Sequence, residues 1–252
     1  TMDVDYYGIR AEDGSYYSLN GNTIRLHNLQ EQNNERAIAF YSSEYCTINN
    51  NNITSSTYCY YGKAIYNGQG NSQAIINNNH IEWGIYDSTQ CGFYSANGSS
   101  YYAYELYSIY VEDAQEIKSN TILQDQAYDG RAIYVYQSDN YNTDLTIENN
   151  YIEYFSWYDW TDWDEAIRIS SSNNYSGYTL IKSNTIKLYN GASKGIFADR
   201  NTDILNNTIS FGDRYTQQCG FSTNGTNTSK TAIYIDDSDH HIIKNNTITN
   251  FV

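Results

Sequence analysis

The chain has 252 residues, a formal net charge of −15 and a sequence pI near 4.4. That charge excludes an ordinary nucleic-acid surface, which needs clustered Lys and Arg to neutralise phosphates, and it disfavours an anionic membrane as partner. No apolar run approaches the roughly 20 residues of a membrane-spanning helix, so no membrane insertion is expected, and Pro is absent where usage near 5% would supply about a dozen.

In chain order the first element is Gly8-Ile9-Arg10-Ala11, a small residue followed by Ile-x-apolar. Leu19-Asn20-Gly21-Asn22-Thr23-Ile24 follows it and sets a second frame, apolar-x-x-Asn-x-Ile. The pair then returns. Ala37-Ile38-Ala39-Phe40 precedes Ile48…Asn51-Asn52-Ile53, and Ala64-Ile65-Tyr66-Asn67, which lacks the last apolar residue, precedes Ile76…Asn79-His80-Ile81. Ser108-Ile109-Tyr110-Val111 leads to Ile117…Asn120-Thr121-Ile122, and Ala132-Ile133-Tyr134-Val135 to Ile147…Asn150-Tyr151-Ile152. Ala166-Ile167-Arg168-Ile169 leads to Ile181…Asn184-Thr185-Ile186, and Gly195-Ile196-Phe197-Ala198 to Ile204…Asn207-Thr208-Ile209. The last copy is Ala232-Ile233-Tyr234-Ile235 with Ile243…Asn246-Thr247-Ile248.

Each unit reads as a short period-2 strand, a polar turn and a second short strand. A unit so small cannot bury its Ile residues alone, so neighbours must stack into one continuous core. Units running the same way pair in parallel, and like residues fall into columns about 4.8 Å apart. The spacing predicts Ile on Ile inside and Asn on Asn at a corner, where Asn tolerates the left-handed backbone and stacked amides bond from coil to coil. The absence of Pro agrees, since nearly every strand in such a stack is central.

These motifs resemble the right-handed parallel β-helix repeat in its pectate-lyase-like form, over residues 8 to 249. The resemblance implies an all-β, right-handed parallel β-helix of about eight coils. The unbroken repeat predicts a single domain over 1–252, with long lateral loops at 82–107, 153–165 and 210–231. The family includes polysaccharide lyases and hydrolases, phage tailspikes, adhesins and surface-layer proteins. The Tyr- and Asn-rich spelling is most similar to adhesin-like surface proteins of microbes, archaeal ones included. The 29 Tyr against 14 Lys plus Arg place the chain outside the cell or on its surface.

Several positions are candidates for function. Alternation turns the residue after each first-strand Ile outward, giving Arg10, Ala39, Tyr66, Tyr110, Tyr134, Arg168, Phe197 and Tyr234 as one stripe. A row of rings stacks on sugars or on another copy of the protein, or simply reflects the strand preference of Tyr. Two residues before each Ile, Arg36, Lys63, Arg131, Glu165 and Lys194 form an ion-pair column expected on a solvated face. The stretch Trp157, Asp159, Trp160, Asp162, Trp163, Asp164 interleaves aromatic residues with carboxylates. It reads as an aromatic loop folded on the coil, as a glycan site, as a hydrolytic carboxylate pair, or as oxygen ligands for Ca²⁺. No other metal and no cofactor is expected.

Cys46, Cys59, Cys91 and Cys219 lack C-x-x-C spacing, so they are disulfide candidates rather than zinc ligands. The loops carrying Cys59 and Cys91 leave the stack one rise apart, which places those two within bridging range. Cys219 is left to pair across subunits, with Cys46 as one partner, or to stay unpaired. Asn97, Asn224 and Asn227 are glycosylation candidates on long loops. Asn201-Thr202-Asp203, Asp236-Asp237 and His240-His241 are expected in polar turns, and no Gly-His-Gly or Arg-Ile-Lys accompanies the Asp pairs.

Neither extremity shows a capping unit, so the chain is expected either to be a fragment of a longer protein or to stack end to end, since stacked strands left open template pairing with another chain. The reading is an extracellular structural protein without enzymatic activity, a self-assembling subunit of a filament, sheath or surface layer. Its partners are further copies of itself, end to end and side by side. A glycan-binding adhesin and a polysaccharide lyase or hydrolase are the alternatives.

Overall fold

A computed structural model of the protein describes residues 2–4, 7–26, 33–41, 44–55, 61–68, 73–83, 94–96, 99–101, 105–125, 130–139, 143–156, 164–172, 174–190, 194–199, 201–212, 230–236 and 240–250. The chain winds as a right-handed parallel β-helix with three long parallel sheets of eight, eight and nine strands. The first sheet holds the Gly/Ala-Ile strands, from Tyr7–Glu12 through Tyr61–Gly68 and Arg131–Gln137 to Thr231–Ile235. The second runs from Tyr16–Asn20 to His241–Lys244, and the third from Met2–Val4 to Thr247–Asn250.

Each coil thus has three strands, not two. The frame apolar-x-x-Asn-x-Ile is itself a corner: its first apolar residue ends a second-sheet strand and its Ile opens a third-sheet strand. Asn201 is the only one of the expected turn residues Asn201-Thr202-Asp203 outside a strand, because Thr202–Leu205 pairs with Thr179–Lys182. His241 likewise opens the strand His241–Lys244, and its Nδ1 lies 2.9 Å from the Thr202 carbonyl.

The three Ile columns are in register throughout. Ile38, Ile65, Ile109, Ile133, Ile167 and Ile196 stack in the first sheet. Ile48, Ile76, Ile117, Ile147, Ile181 and Ile204 stack in the second. Ile53, Ile81, Ile122, Ile152, Ile186 and Ile209 stack in the third. All are fully buried, each worth roughly 1.5–3 kcal/mol of removed apolar surface. The small residue before each first-sheet Ile also faces inward. At Gly195 an added Cβ would lie 2.6 Å from the Ala232 carbonyl oxygen and 2.9 Å from Ile209 Cγ2, so this position has no room for a side chain.

The corner between the second and third sheets is an unbroken Asn ladder. Asn51 Nδ2 donates to Asn79 Oδ1 at 2.9 Å. The bond repeats at 3.0 Å from Asn79 to Asn120, Asn150, Asn184, Asn207 and Asn246 in turn. Each Oδ1 also accepts the backbone N–H of the Asn before it, and each Nδ2 donates back to a carbonyl of the preceding rung, as Asn79 does to Ile48 at 2.8 Å. Every donor and acceptor of an internal ladder amide is used, which is the condition for burying it cheaply.

One expectation changes here. The left-handed backbone belongs to the residue before the ladder Asn: Gly21, Asn50, Asn78, Ser119, Asn149, Ser183, Asn206 and Asn245, with φ between 54° and 71°. The ladder residue is selected for its amide and its neighbour for its backbone. At the corner between the first and second sheets, Asp113 accepts from Ser138 N–H and Oγ, both at 2.6 Å, and Asp199 accepts from Ser171 N–H and Oγ, both at 2.8 Å.

Strands reach into the predicted loops. His80–Trp83 and Glu105–Glu112 bound the first, which contains the antiparallel pair Tyr94–Ala96 and Ser99–Tyr101. Tyr151–Ser156 and Glu165–Ser171 bound the second, and Thr208–Gly212 and Thr231–Ile235 the third. Trp157, Asp159, Trp160, Asp162 and Trp163 lie outside the described residues, as do Cys59, Cys91, Cys219, Asn97, Asn224 and Asn227.

Candidate functional site

The outer face of the first sheet collects the aromatic and cationic side chains. Its register puts Arg10, Ala39, Tyr66, Tyr110, Tyr134, Arg168, Phe197 and Tyr234 in one column. A second column holds Tyr7, Arg36, Lys63, Tyr107, Arg131, Glu165, Lys194 and Thr231. Tyr107 was legible as the residue two before Ile109, but reading that column for charge alone passes over it.

The two columns interlock. Ring centroids are 5.4 Å apart for Tyr66 and Tyr110, and 4.9 Å for Tyr110 and Tyr134. Phe197 and Tyr234 stack at 5.2 Å. Rings this close cannot lie side by side in a plane, so their faces turn toward one another. Cations occupy much of what remains. Arg36 sits 3.8 Å over Tyr66 and Arg168 4.3 Å over Phe197, while Arg131 lies over both Tyr107 and Tyr134. Tyr66 and Phe197 are consequently only 9% and 7% exposed, against 40% for Tyr234. Burial, reinforced by Tyr134, raises the Tyr110 hydroxyl, and burial raises that of Tyr66 against the pull of Arg36.

The charged column departs from the expected solvated face. Glu165 is fully buried, 2.8 Å from Arg131 Nε, 3.0 Å from Arg168 Nη1 and 3.7 Å from Lys194 Nζ. Arg131 Nη1 also donates to the Tyr107 hydroxyl at 2.8 Å. Burial pushes the Glu165 carboxyl up, and the three cations pull it back without cancelling the rise. The physical reason is side-chain length: large neighbours on the rungs above and below close over a short carboxylate. The exposed-pair energy of 0.2–1 kcal/mol does not apply to such a group.

Asp164, one of the three carboxylates considered for Ca²⁺ or hydrolysis, is also fully buried. Its Oδ1 accepts the Gly130 N–H at 3.1 Å and lies 3.1 Å from the Tyr154 hydroxyl, which is 2.7 Å from the Gly130 carbonyl. It fastens the entry of a first-sheet strand and faces away from any external cation. Among the described residues no group of three or more His, Cys, Asp or Glu is placed to hold a metal ion.

Cys46 faces the core between Tyr17 and Ala74 of the adjoining rungs. That burial removes it from a disulfide between copies. No family model matches the chain, and no curated protein or solved structure matches it either.

Proposed function

We propose that the protein is a structural β-helix outside the cell that associates with further copies of itself, and that it has no catalytic role. The observation that carries this reading is the polarity of the Asn ladder. Each ladder Asn directs one Nδ2 proton and its backbone N–H at the Oδ1 of the next rung, while its own Oδ1 accepts from the rung before. A rung surface is therefore complementary to the opposite surface of the same repeat, and copies add head to tail. On the last described rung, Thr231–Asn250, Ile243 and Ile248 are 52% and 55% exposed, whereas their columns are fully buried from Ile48 and Ile53 to Ile204 and Ile209.

A structural role also suits the first-sheet face, where the carboxylates Asp164 and Glu165 are consumed by the protein's own donors and cations. A glycan-binding role gains less from that face, because the rings turn their faces to each other and to Arg and Lys. Sedimentation velocity across a concentration series tests the proposal. Concentration-dependent growth that Ile243→Asp abolishes is expected, and a single monomeric species at the highest concentration reached refutes it.

A further inference from the structure

One aromatic pair stands apart from the cation-laced column. Tyr16 and Tyr45 are cross-rung partners at the start of neighbouring second-sheet strands. Their rings lie 5.0 Å apart at an interplanar angle of 6°, and they are 77% and 39% exposed. Among the described residues no cation lies over either ring.

We propose that Tyr16 and Tyr45 form a site of oxidative phenol coupling, which joins the first and second coils through a dityrosine bond. The co-reactant is hydrogen peroxide used by a peroxidase-type catalyst. Each phenol gives up one electron and one proton and becomes a phenoxyl radical. The two radicals join through the ring carbons ortho to their oxygens. The hydrogens on those carbons move to the oxygens as aromaticity returns. Overall the protein loses two hydrogen atoms, and one hydrogen peroxide is reduced to two waters.

Two observations select this pair over the more numerous tyrosines of the first sheet. Oxidant reaches exposed rings, and water beside them takes the released protons. Fixed register holds the two radicals together, so coupling is intramolecular and does not wait for diffusion. Tyr66, Tyr110 and Tyr134 are as close to one another but differently placed. Cations over a ring face oppose the loss of an electron, and burial opposes the loss of the phenolic proton. The site stands independently of self-association, because both residues belong to one chain.

The test oxidises the whole protein with a haem peroxidase and limiting hydrogen peroxide, separates monomer from larger species, and maps tryptic peptides by mass spectrometry. The expected product in the monomer fraction is peptide 11–25 joined to peptide 37–63, with fragment ions that place the bond at Tyr16 and Tyr45. Tyr45→Phe removes that product completely, while Tyr134→Phe leaves its yield unchanged. Circular dichroism verifies that both variants keep the β-helix. The proposal is overturned if other tyrosines couple while this bond is absent, if the bond appears only between chains, or if no tyrosine couples.

Discussion

Replacing Asn120 by Ala in the middle of the ladder removes four hydrogen bonds. Asn120 Oδ1 accepts from the Asn79 backbone N–H at 2.9 Å and from Asn79 Nδ2 at 3.0 Å. Asn120 Nδ2 donates to the Ile76 carbonyl at 2.9 Å and to Asn150 Oδ1 at 3.0 Å. Asn150 Oδ1 keeps the Asn120 backbone N–H at 2.9 Å. Besides Asn150 Oδ1, which keeps one bond, the substitution strips a bond from three buried groups: the Asn79 N–H, one Asn79 Nδ2 proton and the Ile76 carbonyl. At about 1–3 kcal/mol for each buried group left without its partner, and allowing partial relief by water, the loss is about 3–6 kcal/mol. That is a large fraction of the ~5–15 kcal/mol that holds an ordinary domain. The assay is urea unfolding followed by far-UV circular dichroism, with Asn52→Ala as control. Asn52 is adjacent to the ladder but outward and exposed, and its loss is expected to stay within about 0.5 kcal/mol. Repeat arrays unfold rung by rung, so the transition midpoints are compared along with its breadth. A midpoint for Asn120→Ala that matches Asn52→Ala refutes the claim that ladder amides hold the corner.

The other predictions concern packing, backbone and charge. Gly195→Val drives a branched side chain against the Ala232 carbonyl and Ile209, and thermal melting should show a loss of about 1–3 kcal/mol. Ser119 occupies the left-handed position with φ of 55°, where Asn is better tolerated, so Ser119→Asn should raise the melting midpoint by the equivalent of about 0.5 kcal/mol. Glu165→Ala takes away the carboxylate shared by Arg131, Arg168 and Lys194, and denaturation should register a loss of about 3–5 kcal/mol. Burial tends to raise the Glu116 carboxyl, but Lys118 and the Asn77 amide outweigh it and hold it below the ordinary range. A lowered folded value means that this stabilisation is complete above the ordinary carboxylate range and disappears as pH falls through the lowered value. The acid-side decline of the urea midpoint should accordingly be shallower in Glu116→Gln than in the native protein.

The repeat made the columns legible because three inward Ile per coil can be buried only by stacking, and the register follows once they do. The ladder was legible for the same reason: Asn22, Asn51, Asn79 and their successors are the one polar residue kept inside the frame. The backbone role of the preceding residue was hidden by its variety, since Gly21, Ser119 and Asn149 share a φ and no side-chain chemistry. The third strand of each coil was hidden because the second and third strands meet within a single six-residue frame. Reading the first-sheet stripe from period 2 gave its members correctly. Its burial lies beyond any periodicity, because Arg36 over Tyr66 and Arg131 beside Glu165 are contacts between rungs. Asp164 misled for a related reason: it closes an acidic, Trp-rich stretch, yet Tyr154 and Gly130 draw it inward.

The most direct measurement of the stacked architecture is hydrogen exchange of the Asn side-chain amides by NMR. If rungs stack in register, both Nδ2 protons of Asn79, Asn120, Asn150 and Asn184 exchange as slowly as the backbone amides of the strands beside them, while those of the exposed Asn52 exchange at once. Rapid exchange of all side-chain amides, with the backbone still protected, would contradict the ladder and the stacking built on it.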